Sequence, residues 1–137
     1  MYVTEAYSAR ARRELRKHDR VPWTLLHDLE VRNALRLLHG RRHIDEAELH
    51  GLLGHIEDDL QRGRLARPVI DLGTAFRRAE ELSRKHAAKP LARTLDVLHV
   101  AALIEIGCAT LVSGDERQIT LAKAEGLRAL TATCSTL

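Results

Sequence analysis

Apolar positions recur along this chain mostly at three- and four-residue spacing, interrupted by short runs in which they crowd together. The plainest stripe is Leu49, Leu52, Leu53, Ile56 and Leu60. It lies behind an Asp45–Glu48 capping box and ahead of Gly63, so it predicts a helix between those points. Val31, Ala34, Leu35 and Leu38 mark the inward face of a helix capped by Thr24 and stopped by Gly40. Tyr7, Ala11 and Leu15 predict a first helix from about Glu5 to Lys17, capped by Thr4. Ala75, Ala79, Leu82 and His86 predict another, capped by Thr74 and followed by a polar loop from Lys85 to Arg93. The segment from Thr94 to Gly107 differs in being apolar nearly all round, with Leu95, Leu98, Ala102 and Ile106 spaced along it. That pattern predicts an almost fully buried helix with Thr94 as its cap.

The crowded runs read as strands. Ala109–Ser113 is short, apolar and partly β-branched, as suits a buried parallel strand. Gly114-Asp115 then turns the chain into a helix over Glu116–Glu125, and Gly126 leads into a last strand over Leu127–Thr131. Val21-Pro22-Trp23 and the stretch Leu65–Asp71 are extended pieces whose prolines place them near a sheet edge. Strands alternating with helices from end to end predict one domain over residues 1–137, a three-layer α/β/α sandwich with a parallel central sheet.

This topology gives two carboxylates a common address. Asp96 falls in the first turn of the buried helix, and Asp115 just past the C-terminal end of a strand, the edge at which open α/β sheets gather ligands. Acids in first turns also answer the helix macrodipole, so capping alone accounts for either one separately. Two carboxylates on such an edge can share a hard cation, since Mg²⁺ and Mn²⁺ prefer oxygen ligands.

The residues Arg93-Thr94-Leu95-Asp96-x-Leu98-His99-x-Ala101-Ala102-Leu103, followed by Thr110-Leu111-Val112-Ser113-x-Asp115-Glu116-Arg117, resemble the C-terminal half of a PIN domain. The style is that of the VapC toxins of toxin–antitoxin pairs. The resemblance implies a Mg²⁺-dependent (or Mn²⁺-dependent) ribonuclease in which Asp96 and Asp115 match the third and fourth acids, and Ser113 the small hydroxyl residue before the fourth. Glu30, in Glu30-Val31-Arg32-Asn33-Ala34-Leu35, matches the second acid, and Glu116 is a further candidate ligand. Arg93 and Arg117 are candidates for phosphate contact or for pairing with a site carboxylate. The family also implies an RNA substrate, a VapB-like antitoxin that blocks the groove and a homodimer. The two unpaired cysteines and the Met1-Tyr2-Val3-Thr4 start make a cytoplasmic setting the expectation. PIN domains open with an apolar strand ending in Asp, and no Asp precedes Asp19 here; Glu5, the earliest acid, does not match the motif. The expectation is a PIN-like domain lacking its first strand, through a start assigned too late. The competing expectation is a non-catalytic PIN-like module, a degenerate copy that binds a partner protein or RNA without cleavage.

Composition narrows the picture further. A net charge of +3 with a pI near 9.2 tolerates a polyanionic partner without demanding one. At 3% aromatic content no stacking platform for single-stranded bases is expected, so nucleic-acid contacts should run from Arg and Lys to phosphates. Arg10, Arg12, Arg13, Arg16, Lys17 and Arg20 are candidates, as well as an ordinary solvated face. Neither a membrane helix nor a signal peptide is expected. Cys108 and Cys134 are too few for a disulfide framework. The eight histidines show no zinc-helix spacing, and His99 reads as a packed core residue.

Overall fold

The computed structural model describes residues 8–131. The expected Thr4 cap, Tyr7, Glu5 and Cys134 lie outside the described residues. The chain is mixed α/β and mostly helical, in the order α1 (Ser8–Leu15), β1 (Val21–Pro22), α2 (Leu25–Gly40), α3 (Glu46–Gln61), β2 (Leu65–Ala66), α4 (Leu72–His86), α5 (Thr94–Glu105), β3 (Thr110–Ser113), α6 (Glu116–Ala124) and β4 (Arg128–Thr131). The four strands form two parallel pairs, β1 with β2 and β3 with β4. No helix among the described residues is long and apolar enough to cross a membrane. The contacts divide the chain into two compact units, Arg16–Pro68 and, for the larger, α1 with the chain from Val69 onward.

In the smaller unit, Val21 N–H donates to the Arg64 carbonyl (2.8 Å) and Trp23 N–H to that of Ala66 (2.7 Å). Pro22 falls between these two donors, so its missing N–H leaves the ladder intact. Thr24 caps α2 by accepting from His27 N–H, and the Asp45–Glu48 capping box opens α3 as expected. Leu35 and Ile56 are the buried residues of the two helices, at 2% and 0% exposure, whereas Ala34 is exposed. Helix α2 ends at Gly40, as expected, but Gly40 is not the left-handed residue of the stop. It remains helical, and the left-handed residue is Arg42, with φ +61°. Arg42 N–H donates to the His39 carbonyl and His43 N–H to that of Leu38, a Schellman closure carried by a residue with a side chain.

The larger unit is built on α5. Asp96 to Leu103 are eight consecutive buried residues, because α4 and α6 pack against the helix and Leu111 of β3 joins the same core. Leu82, Val97, Val100, Ala101, Leu103, Leu111, Leu121 and Ala122 form the core. Burying one Leu such as Leu121 contributes about 1.5–3 kcal/mol. Leu95 lies off this face, at 47% exposure. Gly107 (φ +70°) ends α5 with Cys108 N–H on the Leu103 carbonyl, where a side chain would be strained. Strand β3, helix α6 and strand β4 make a parallel unit in register Thr110↔Arg128 to Ser113↔Thr131.

Two helix starts differ from expectation. Thr94 is the first residue of α5 rather than its cap; Arg93 holds the cap position, and its N–H donates to Asp96 Oδ2 at 2.8 Å. Likewise α4 begins at Leu72, capped by Asp71, whose Oδ1 accepts from Thr74 N–H at 2.8 Å. In each case a nearby acid, Asp71 three residues before Thr74 and Asp96 two residues after Thr94, supplies the oxygen that accepts a backbone N–H at the helix start.

Candidate functional site

Strand β3 ends at Ser113, and the chain turns through the exposed Gly114 into α6. Asp115 is the α6 cap, its Oδ1 accepting from Arg117 N–H at 2.8 Å. Its own N–H donates to Ser113 Oγ at 3.0 Å. Ser113 Oγ in turn donates to Gln118 Oε1 at 2.8 Å, and Gln118 Nε2 donates to Asp96 Oδ1 at 3.2 Å. Asp96 Oδ2 takes the Arg93 N–H, which closes the chain at the start of α5. Three predicted site residues, Asp96, Ser113 and Asp115, therefore belong to one hydrogen-bonded relay.

The charge on Asp96 sets the direction of every link. An ionised carboxylate only accepts, so the Gln118 amide must present its nitrogen there and its carbonyl to Ser113. The Ser113 hydroxyl must then donate to that carbonyl, leaving a lone pair for Asp115 N–H. Asp96 is 7% exposed, so an unsatisfied oxygen would be costly, and the relay satisfies both.

Gln118 was not among the expected site residues. A signal existed, because Asp115-x-x-Gln118 has capping-box spacing, in which the glutamine would return to the Asp115 N–H. Here Ser113 takes that N–H, and the glutamine reaches across to α5 instead.

Glu116 is exposed in the first turn of α6. The side chain of Arg93 is exposed and that of Arg117 half-buried, and among the described residues neither forms an ion pair. Their backbone N–H groups serve Asp96 and Asp115, a role different from the expected contact through the guanidinium. His99 is buried in α5, as expected. Glu30 lies in the second turn of α2, half-buried, in the smaller unit.

The smaller unit has its own polar centre at Asp28, which was not among the expected site residues. Asp28 Oδ1 accepts from the Trp23 indole N–H (2.8 Å), from Arg32 Nε (3.0 Å) and from Arg67 Nη2 (3.5 Å), and Arg32 also reaches Glu57 at 2.7 Å. Burial alone would raise the Asp28 carboxyl. The hydrogen bonds from Trp23 and Arg32, with the charges of Arg32 and Arg67, more than offset it and hold the group below its ordinary range. Its visible sequence signal was the four-residue Asp28–Arg32 spacing.

Among the described residues, neither unit contains a group of three or more His, Cys, Asp or Glu side chains placed to hold a metal ion. Comparison with family models, with curated proteins and with solved structures returns no match.

Proposed function

We propose that this protein is a metal-dependent endoribonuclease of the PIN class, a toxin of the VapC type, hydrolysing RNA phosphodiester bonds at Asp96 and Asp115. The observation that carries this is the relay joining Asp96, Ser113 and Asp115 beyond the C-terminal end of a parallel strand. Glu30 enters on the family pattern alone, and so does Glu116. The three-layer sandwich with one central sheet is part of the proposal, supported by the parallel sense of both strand pairs.

The donor set fits a hard cation held partly by water. A carboxylate offers about four lone-pair sites. The hydrogen bonds described above use two on Asp96 and one on Asp115. Mg²⁺ is commonly held by one or two carboxylates with its remaining positions filled by water. The chemistry such an ion supplies is neutralisation of charge on the scissile phosphate and activation of a water. Asp96 and Asp115 would hold it, while the Arg93 and Arg117 guanidinium groups, in no ion pair among the described residues, would meet the RNA backbone. A VapB-like antitoxin, a homodimer and a cytoplasmic setting belong to the same proposal.

One observation favours a second reading. Both Asp96 oxygens are engaged by protein donors and Asp115 is a helix cap, so each acid has a complete structural role without a cation. A binding module that holds a partner protein or RNA without cutting would keep these bonds. The two readings differ in a thermal melt with millimolar Mn²⁺ or Mg²⁺. A nuclease site raises the melting temperature by linkage, and Asp115→Asn, which retains a capping oxygen, removes most of the rise. No rise in the wild type, or an equal rise in the variant, rejects the cation site.

A further inference from the structure

We propose that Gln118 is the positioning residue of this site, holding the plane of the Asp96 carboxylate and tying it to the turn that carries Asp115; this rests on reading Asp96 and Asp115 as a hard-cation site. With the Arg93 N–H alone on Oδ2, the carboxylate is free to pivot about its Cβ–Cγ bond. A second donor on Oδ1, Gln118 Nε2 at 3.2 Å, removes that freedom and leaves further lone pairs on both oxygens. The donor comes from 22 residues away, on the helix that Asp115 caps. One side chain thus links the α5 start to the β3–α6 turn.

Three features separate this from ordinary capping. A glutamine at this position normally returns to the cap N–H. That N–H is already taken by Ser113 Oγ, which leaves the amide available for Asp96. The Ser113 hydroxyl then donates to Oε1 and opposes the flipped amide, which would set an oxygen against the carboxylate. Finally, the contacted oxygen belongs to an acid 7% exposed, where a misplaced lone pair cannot be corrected readily by water. Partners that orient metal-binding side chains typically affect affinity or activity by about 10–100-fold when removed.

The test uses Gln118→Met, which keeps length but not polarity, and Gln118→Glu, which sets a second carboxylate against Asp96. Calorimetric titration with Mn²⁺ alone should show the methionine variant binding about 10–100-fold more weakly than wild type. The glutamate variant should melt below wild type without cation and recover more than wild type gains when Mn²⁺ is added, because the ion relieves a like-charge contact. A purely structural glutamine predicts Mn²⁺ affinity unchanged in Gln118→Met, and that readout separates the two roles. In metal-free protein, urea unfolding of Gln118→Met, Asp96→Ala and the double variant should be non-additive, with Asp96→Asn replacing the alanine variant if it does not fold. Additive effects, or Mn²⁺ affinity unchanged in Gln118→Met, overturn the assignment while leaving the nuclease proposal standing. A wild-type protein that binds no Mn²⁺ overturns both, and that result is read without any Gln118 variant.

Discussion

Replacing Asp96 should reveal how much of its role is structural, and the hydrogen bonds allow the cost to be worked out. Asp96→Ala removes two accepted bonds at once. The Arg93 N–H, an orphan donor at a helix start, loses its cap at about 1 kcal/mol. The Gln118 amide loses a charged acceptor in a part-buried setting, at about 1–2 kcal/mol. Loss of negative charge from the first turn adds about 0.3–1 kcal/mol. The sum is about 2–4 kcal/mol. Asp96→Asn should cost only about 1 kcal/mol, because its oxygen can serve Arg93 while a flipped Gln118 accepts from its nitrogen and donates to Ser113 Oγ. Asp115→Asn should lose less still, since Asn is as good a cap as Asp. Urea unfolding followed by far-ultraviolet circular dichroism measures the order. Fluorescence will not serve, since the single tryptophan, Trp23, lies in the smaller unit. An alanine variant within about 0.5 kcal/mol of wild type would refute the relay, because that is the noise of a surface substitution.

Three further outcomes follow from other parts of the chain. Leu121→Ala, at a fully buried position, should cost about 2–5 kcal/mol by the same circular-dichroism measurement. In the smaller unit, Gly40→Ala and Arg42→Gly together should raise stability by about 1 kcal/mol, read by Trp23 fluorescence in urea. The first removes a helical glycine with open space at its Cβ; the second puts glycine at φ +61°. The lowered folded-state pKa of Asp28 means its ionised form stabilises the fold above the unfolded value of about 3.9. That contribution is lost as pH falls through this range and on through the lower folded value, so Asp28→Asn should flatten the acid limb of the Trp23 fluorescence transition.

The helices and the β3–α6–β4 unit were legible because their signals are local: a stripe at helical spacing, a short apolar run, a capping pair. Capping was less legible where two residues competed. Asp71 and Thr74, or Asp96 and Thr94, are both acceptable caps in isolation, and only the packed helix decides which donors remain to be satisfied. Arg42 illustrates the same limit. Gly40 marks the end of α2 as its sequence signal indicates, but the left-handed turn itself falls two residues later, on Arg42. Of the candidate site, Asp96, Ser113 and Asp115 were legible as polar residues that gather near one strand end. Gln118 was not, because its role depends on a contact across 22 residues that no spacing rule reaches. Asp28 was missed for a related reason: two of its donors, Trp23 and Arg32, are near in sequence, but Arg67 arrives from 39 residues away.

The most direct measurement is cleavage of a structured RNA by wild type and Asp115→Asn, side by side in Mn²⁺ and in chelator. Asp115→Asn keeps the cap while removing the charge, so it separates chemistry from folding. The account predicts fragments from the wild type in Mn²⁺, none in chelator, and a loss of at least about 100-fold in the variant, a difference of about 2.7 kcal/mol in barrier. Intact RNA in every lane, or equal cleavage by wild type and variant, would contradict it.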